Sequence, residues 1–420
     1  MSRSRLRRNV LFMVALQLVN YAAPLLVVPY LTRTLGISGY GIVATGLALI
    51  QAAVVITDFG LSMLAPAEVV ATLEKDRSAD RLVTAVLTVR AVMAIGVSTV
   101  AVALSMSAAG DRADLWLAII LGIVGLSIQP TWYFQAMERM GWITTYVVVT
   151  RLLYVIAVMA FVHSGTNPTL VVVWFGAANV LGAICGLVAM RRVGYRYQQP
   201  DVGLVVGLAR RSLEFFLSRV AVASYTAGGV VFLGLVAGPR EAGDLGVAQQ
   251  LYLVGQTAIG AVVQAIYPHM LRLKDFALLR RMLLATAVLT SAAPVIMLVF
   301  GDFLIRLVYG VPPDSIHEVA VLYLAALPIS SCSALIGYPL FGALGRLDVA
   351  NRTVIGAGLL QAAWLCGLYV SGHASAELVV VGVLLVEVLL LVTRLAIWRK
   401  LASSSASGAA SVREGGVHLG

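Results

Sequence analysis

Charge is what this chain of 420 residues has little of: 12% of it is Asp, Glu, Lys or Arg, while 60% is hydrophobic and the mean hydropathy is +0.93. Soluble domains carry roughly 25% charged and 45–50% apolar residues, so a soluble fold is excluded and a polytopic membrane protein is expected. Cysteine is scarce too. Cys185, Cys332 and Cys366 stand singly in apolar segments, which excludes a disulfide framework and a Cys-x-x-Cys zinc site and leaves small buried hydrophobes. The five histidines are scattered with no metal-ligand spacing, so no metal or cofactor is expected.

What is present is a succession of apolar runs, each near the length of about 20 residues that crosses a bilayer as a helix. They fall at 9–31, 41–70, 82–106, 114–137, 142–163, 169–190, 212–235, 245–267, 279–300, 318–341, 353–371 and 377–396, separated by short links such as "AAGDRAD" and "GPREAGD". That predicts an all-α polytopic protein of twelve transmembrane helices. The basic start "MSRSRLRR" followed by an apolar run has no small-x-small cleavage site before Pro24, so it reads as an uncleaved first helix.

Basic residues test the count. Of the 30 Lys and Arg, 23 fall on one alternate set of links, four (Arg33, Arg112, Arg240, Arg306) on the other, and three inside spans. Cytoplasmic loops are the ones enriched in Lys and Arg, so both termini are expected in the cytoplasm. Positive loops against anionic lipid account for the net charge of +10 without any nucleic acid.

The longest internal polar link, 191–211, follows the sixth span and predicts a division into 1–190, a linker 191–211, 212–400 and a disordered tail 401–420 rich in Ser, Ala and Gly. The halves are weakly alike: "RRNVLF" at 7–12 against "RRSLEFF" at 210–216, and "GYGIVATGLALIQ" at 39–51 against "GDLGVAQQLYLVGQ" at 243–256. With an even number of spans in each half, such a repeat is parallel, about an axis along the membrane normal.

Within "AVVITDFGLSMLAP" stands Asp-Phe-Gly, but no Gly-rich loop, strand lysine or catalytic loop accompanies it, so the kinase reading fails. Asp58 instead belongs with Arg90, Arg151, Glu214, Arg219 and Glu387 as charges inside spans, each costly on insertion by about 2.5–3.5 kcal/mol at a helix centre. Counted along their helices at about 1.5 Å per residue, Asp58, Arg90, Arg151 and Arg219 share a cationic layer roughly 10–15 Å deep. Arg90 and Arg219 are shallow enough to snorkel, whereas Arg151 suits a cavity. Glu214 has Arg211 as a neighbour to pair with, and Glu387 has Arg394. Polar stripes at helical spacing join Gln17, Asn20 and Tyr21, then Gln51, Asp58 and Ser62, then Gln249, Gln256, Gly260 and Gln264. They fit cavity lining or interhelical hydrogen bonding equally.

The stretch "LQLVNYAAPLLVVPYLTRTLGISGYGIVATGLALIQAAVVITDFGLS" at 16–62, with "IQPTWYFQAMERM" at 128–140 and "YPHMLRL" at 267–273, resembles the O-antigen flippases of the multidrug/oligosaccharidyl-lipid/polysaccharide exporter superfamily. Pro24, Pro29, Arg33, Gly36, Gly39, Tyr40, Gly41, Gln51, Asp58, Gly60, Pro130, Trp132, Gln135, Glu138 and Pro268 match recurrent residues of that family, and His269 stands where an aromatic is more usual.

The resemblance implies two six-helix bundles around a central cavity. It also implies a transporter, not an enzyme, that flips undecaprenyl-pyrophosphate-linked oligosaccharide repeat units across the inner membrane for surface polysaccharide assembly. The partners it implies are that polyprenyl-linked glycan, membrane lipids and other polysaccharide assembly proteins. Taken with the intramembrane charges and stripes, the candidate cavity set is Arg151, Arg90, Arg219, Asp58, Gln51, Arg33, Asn20, Tyr21 and Gln256. The rival readings are a cation-coupled multidrug exporter of the same fold, for which an acidic cavity is expected, and a membrane-embedded glycan polymerase or ligase, for which a large external loop is expected.

Overall fold

The computed structural model describes residues 3–74, 78–107 and 113–415; the side chains of 3–18, 21, 107, 214, 217, 218, 222, 225, 226, 314 and 402–415 lie outside the described set. Among the described residues every regular element is helical. A chain that must satisfy all its backbone donors inside hydrocarbon has only helices or a closed barrel open to it, and long apolar runs without alternation select the helix.

The first half contains α1 (Arg3–Asp58), α2 (Leu61–Leu73), α3 (Asp80–Ser107), α4 (Ala113–Ile128), α5 (Thr131–Ala136), α6 (Met140–Phe161) and α7 (Thr169–Arg192). The second contains α8 (Val202–Thr226), α9 (Gly228–Val236), α10 (Pro239–Leu273), α11 (Phe276–Tyr309), α12 (Asp314–Leu335), α13 (Phe341–Ala343), α14 (Leu347–Ser371) and α15 (Ala376–Gly415), with a π-helical turn, Ile336–Leu340, between α12 and α13. Residues 193–201 join the halves outside any helix, and the tail from 401 begins as the continuation of α15.

Ten helical stretches among the described residues are long and apolar enough to cross a membrane. The first, Ala22–Leu73, has 52 residues, about 78 Å if straight against a hydrocarbon core of about 30 Å. It is not straight: Gly36 interrupts α1 at φ 70° and ψ 175°, a conformation open to a residue without Cβ. The expected spans 9–31 and 41–70 are thus two arms of one broken stretch, and the expected span 212–235 is divided between α8 and α9.

Within the first half, α4 packs on α7, α6 on both α1 and α7, and α3 on α4; within the second, α12 packs on α10, α11 and α15, and α14 on α8 and α15. The halves meet where α1 lies against α8, α9, α10 and α11, and where α2 and α3 touch α8. One end of this seam is very tight. A Cβ on Gly41 would fall 1.6 Å from the Pro239 carbonyl oxygen, and Thr32 Oγ1 donates to the Tyr309 carbonyl at 2.8 Å. Outward-facing leucine, isoleucine and valine, such as Leu117, Leu289 and Val370, are exposed, as a lipid solvent requires.

The geometry adds a third and sharper sign of repetition. Phe134–Arg139 after α4 and Phe341–Arg346 after α12 share one turn: Arg139 N donates to Phe134 O at 2.9 Å and Arg346 N to Phe341 O at 2.7 Å. Glu138 (φ 51°) and Gly345 (φ 70°) hold the matching positive-φ position. Each Phe is fully buried at the end of its own half, with Leu61, Val83 and Ile143 around Phe134 and with Met270, Leu279 and Val349 around Phe341. The offset is 207 residues.

Candidate functional site

A cavity of about 470 Å³ opens between the halves, walled by both arms of α1, by α6 and α7 on one side and by Ala227, Val230 and α10 on the other. Most of its wall is apolar, from Val27, Leu31, Val43 and Leu47. Its polar groups are few: Asn20 and Gln51 of α1, Arg151 of α6, Gln249 and Gln250 of α10, and the hydroxyls of Tyr40 and Tyr154. No carboxylate is among its lining residues, which makes the interior electropositive.

Arg151 is held, not loose. Its Nε donates to Asn20 Oδ1 at 3.3 Å and its guanidinium lies 5.6 Å from the centroid of the Phe175 ring, an arrangement that stabilises a cation away from water. Tyr154, on the same helix, packs edge-on against Phe175 at 5.4 Å. Among the described residues the two terminal nitrogens of Arg151 have no hydrogen-bond partner, so a planar fork of donors faces the cavity.

Asp58 sits elsewhere. Helix α1 ends at this residue, Phe59 (φ 48°) and Gly60 (φ 76°) turn the chain through left-handed backbone, and α2 starts at Leu61. The Asp58 carboxylate, buried at 2% exposure, accepts from Ser62 N at 3.3 Å and from Ser62 Oγ, satisfying donors of the first turn of α2 as an N-terminal cap does. It also meets Arg90 Nη2 at 3.2 Å and Arg219 Nε at 3.9 Å. The other two letters of the motif serve the same junction. Phe59 stacks on Phe216 with centroids 4.7 Å apart, and Gly60 lets α2 approach α8 so closely that a Cβ would lie 2.7 Å from the Ser212 carbonyl oxygen.

From Arg90 a polar chain crosses the first half: Arg90 Nη1 donates to Gln129 O at 3.3 Å, Gln129 Nε2 to Asn179 Oδ1 at 3.1 Å, and Asn179 Nδ2 to Phe175 O at 2.8 Å. It ends on the backbone of the residue whose ring supports Arg151. Gln129 and Asn179 were outside the candidate set; the helix break at Gln129–Pro130, where a helix end leaves carbonyls without partners, is the signal that points to them.

The expected layer of four charges therefore separates. Asp58 and Arg90, both buried, form one cluster with the partly exposed Arg219, while Arg151, with Asn20 and Gln51, lines the cavity. Gln256 belongs to a third network in the second half, donating to Tyr252 Oη at 2.7 Å and Ser330 Oγ at 2.6 Å; Tyr252 in turn stacks on Tyr323 and reaches Glu387 Oε1 at 3.5 Å. Arg33 lies at the far end of the seam, where Nε donates to Val308 O at 3.2 Å and Nη2 to Leu307 O, binding the last carbonyls of α11. The side chain of Tyr21 falls outside the described residues, as does that of Glu214. Arg211 pairs with Glu68 at 2.6 Å. Arg394, expected among the loop cations, is buried in α15, donating to the oxygens of Ser333 at 2.6 and 2.9 Å beside the π-helical turn, and to Thr353 Oγ1 at 3.1 Å.

Comparison with known proteins adds the following. The family model described as "Polysaccharide biosynthesis protein" matches residues 6–274. A protein of Escherichia coli (strain K12) that carries the name O-antigen transporter is 25% identical over 369 residues, covering 85% of this chain and 88% of its own. A protein of Shigella dysenteriae with the same name is 24% identical over 281 residues, covering 64% and 69%. Among solved structures, the lipid II flippase MurJ in an inward closed conformation superposes with a TM-score of 0.70 at 11% identity, over 92% of this chain and 87% of that one. An inward-facing multidrug resistance MATE family transporter of the MOP superfamily gives 0.63 at 14% identity, over 94% and 96%. At such identities these two likenesses establish the fold alone, an all-helical polytopic membrane architecture.

Proposed function

Because the chain belongs to the polysaccharide biosynthesis protein family, we propose that it is a flippase for lipid-linked polysaccharide precursors. In its finer form the proposal is that undecaprenyl-pyrophosphate-linked oligosaccharide repeat units pass from the inner to the outer leaflet of the cytoplasmic membrane by alternating access of the two halves, both termini lying in the cytoplasm. Relatives named as O-antigen transporters support the substrate class.

The observation that carries the reading is Arg151. It presents unengaged guanidinium donors in a cavity between the halves that has no carboxylate in its lining. Arginine offers bidentate, charge-assisted donors matched to phosphate oxygens. A volume of about 470 Å³ lies in the range of small-molecule pockets, so it suits the pyrophosphate and adjoining sugar, with Gln51, Gln249 and Gln250 as hydroxyl partners. The lipid tail stays in the bilayer. With the cell interior negative, outward movement of an anion gains about 2.3 kcal/mol per charge per 100 mV. A cation-coupled drug exporter would need an acid facing the cavity, and Asp58, the one acid in the candidate set, is engaged with Arg90 and Arg219 instead.

The test is leaflet transfer of a fluorescent undecaprenyl-pyrophosphate oligosaccharide in liposomes, with and without an imposed potential, for the native chain, Arg151→Gln and the lipid-facing control Leu117→Ala. Transfer by the native chain and the control, lost in Arg151→Gln at unchanged thermal stability, is expected. Transport of cationic drugs against a proton or sodium gradient, with no movement of the lipid, would replace this reading by the exporter.

A further inference from the structure

Away from the central cavity, a groove of about 270 Å³ runs between α14 and α15. Its floor is apolar, from Ala357, Val386 and Leu390; Arg352 and Thr393 stand at one end and Leu360 at the other. From Arg352 to Leu360 is eight residues, about 12 Å along a helix. The groove opens on exposed apolar side chains, Leu359, Leu360, Leu389 and Val392, and so faces the bilayer.

The repeat supplies a control within the same molecule. At the offset of 207 residues, Arg352, Thr353 and Gly356 correspond to Thr145, Tyr146 and Val149, which line a groove of about 110 Å³ between α6 and α7. The two grooves have the same position in their halves and differ at several lining positions, Thr353 against Tyr146 and Ala357 against Thr150 among them; two of the differences bear on a ligand. The second has a glycine where the first has valine, and a cation at its mouth where the first has a hydroxyl. A Cβ on Gly356 would meet nothing within 4 Å, so the glycine is not demanded by helix packing; what its lack of a side chain leaves is space.

The mouth of the groove is also short of acid. Asp348, one turn before Arg352, already binds Arg346 through both oxygens at 3.0 and 3.3 Å. Arg352 is exposed and has no hydrogen-bond partner among the described residues. Thr353 is occupied: it accepts from Arg394 Nε at 3.1 Å and donates to the Val349 carbonyl at 2.9 Å. Among the described lining residues Arg352 is the one charged group, near Asp348 but hydrogen-bonded to neither of its oxygens, so a guanidinium with free donors stands at the head of an apolar channel facing lipid.

We propose that the groove between α14 and α15 is a binding site for an anionic phospholipid, its phosphate on Arg352 and one acyl chain lying along Gly356 to Leu360. This inference stands independently of what the central cavity carries. A zwitterionic lipid fits the channel equally but brings no net charge to the mouth, so the site discriminates by headgroup charge. The matching groove in the first half, narrower and without a cation, does not.

The test uses the purified full chain in neutral detergent, titrated with phosphatidylglycerol or phosphatidylcholine of the same acyl chains. Thermal unfolding and native mass spectrometry of retained lipid are the readouts. Phosphatidylglycerol is expected to raise the melting temperature by several degrees more than phosphatidylcholine and to be retained as one tightly held molecule. Arg352→Gln should reduce the phosphatidylglycerol effect to that of phosphatidylcholine. Gly356→Leu, filling open space, should abolish retention while the lipid-free melting temperature stays native; if that variant unfolds early, Arg352→Gln alone decides. Equal responses to the two lipids in the native chain, or an undiminished phosphatidylglycerol preference in Arg352→Gln, overturn the proposal. So does retention of undecaprenyl phosphate at tenfold lower concentration than phosphatidylglycerol, which would make the groove a site for the prenyl carrier.

Discussion

The carboxylate of Asp58 lies 3.2 Å from Arg90 and 3.9 Å from Arg219, so a single buried acid stands between a cation of its own half and a cation of the other. Two arginines against one aspartate leave a positive excess, and the geometry shows how it is borne. Arg90 is buried with the acid, whereas the Arg219 side chain keeps 39% of its surface exposed.

Removing the acid should therefore be costly. Asp58→Asn leaves Arg90 buried without its counter-charge, and breaking such a pair from one side costs about 3–5 kcal/mol. The expected outcome is a clear loss of thermal stability in detergent. The double substitution Asp58→Asn with Arg90→Gln should lose less than the sum of the singles; strict additivity would mean that the two side chains do not interact.

The two arginines should differ. Arg90→Gln strands a buried carboxylate and should destabilise by roughly the same 3–5 kcal/mol, while Arg219→Gln removes a partly solvated contact of the kind worth about 0–1 kcal/mol. Melting curves of the two variants side by side check this, and equal losses would contradict it.

The tight end of the seam makes a prediction about the halves themselves. Gly41→Ala places a methyl group where the Pro239 carbonyl now stands, so α1 and α10 must separate there. With a reporter cysteine at Ile37, whose carbonyl packs against Gly243, labelling by a membrane-impermeant maleimide should be faster in the alanine variant. Unchanged labelling would show that the backbone absorbs the methyl elsewhere.

Arg394 should be structural. A π-helical turn exposes backbone carbonyls that an unbroken α-helix would bond, and Arg394 donates to Ser333 at 2.6 Å there and to Ala350 at 3.4 Å. Arg394→Met leaves buried acceptors unsatisfied, each costing about 1–3 kcal/mol. A loss of stability of at least about 3 kcal/mol is expected, with no selective effect on substrate affinity in whatever protein remains folded.

How much of this is readable from the chain alone differs by level. Apolar runs disclose the helices because a bilayer leaves the backbone no other local solution, and the scarcity of charge makes each intramembrane charge conspicuous. Six stand out on that ground. Yet Arg394, which the alternation of basic links places with the loop cations, is buried, because the run of hydropathy does not disclose that α15 continues past it. Arg33, which matches a family motif, binds the end of α11 and is not among the residues that line the cavity.

Composition and patterning alone are enough for the helical membrane architecture, for a link between two apolar arms in the region of Gly36 and for the weak likeness of the halves, and they mark Arg151 as a candidate for the cavity. Which charges meet is set by tertiary packing. The rotation of each helix about its axis and its approach to its neighbours are set by packing between elements distant in the chain. Asp58 with Arg219, Asn20 with Arg151, and the unequal grooves of the two halves all arise at that level, where a shift of one residue along a helix turns a side chain by about 100°.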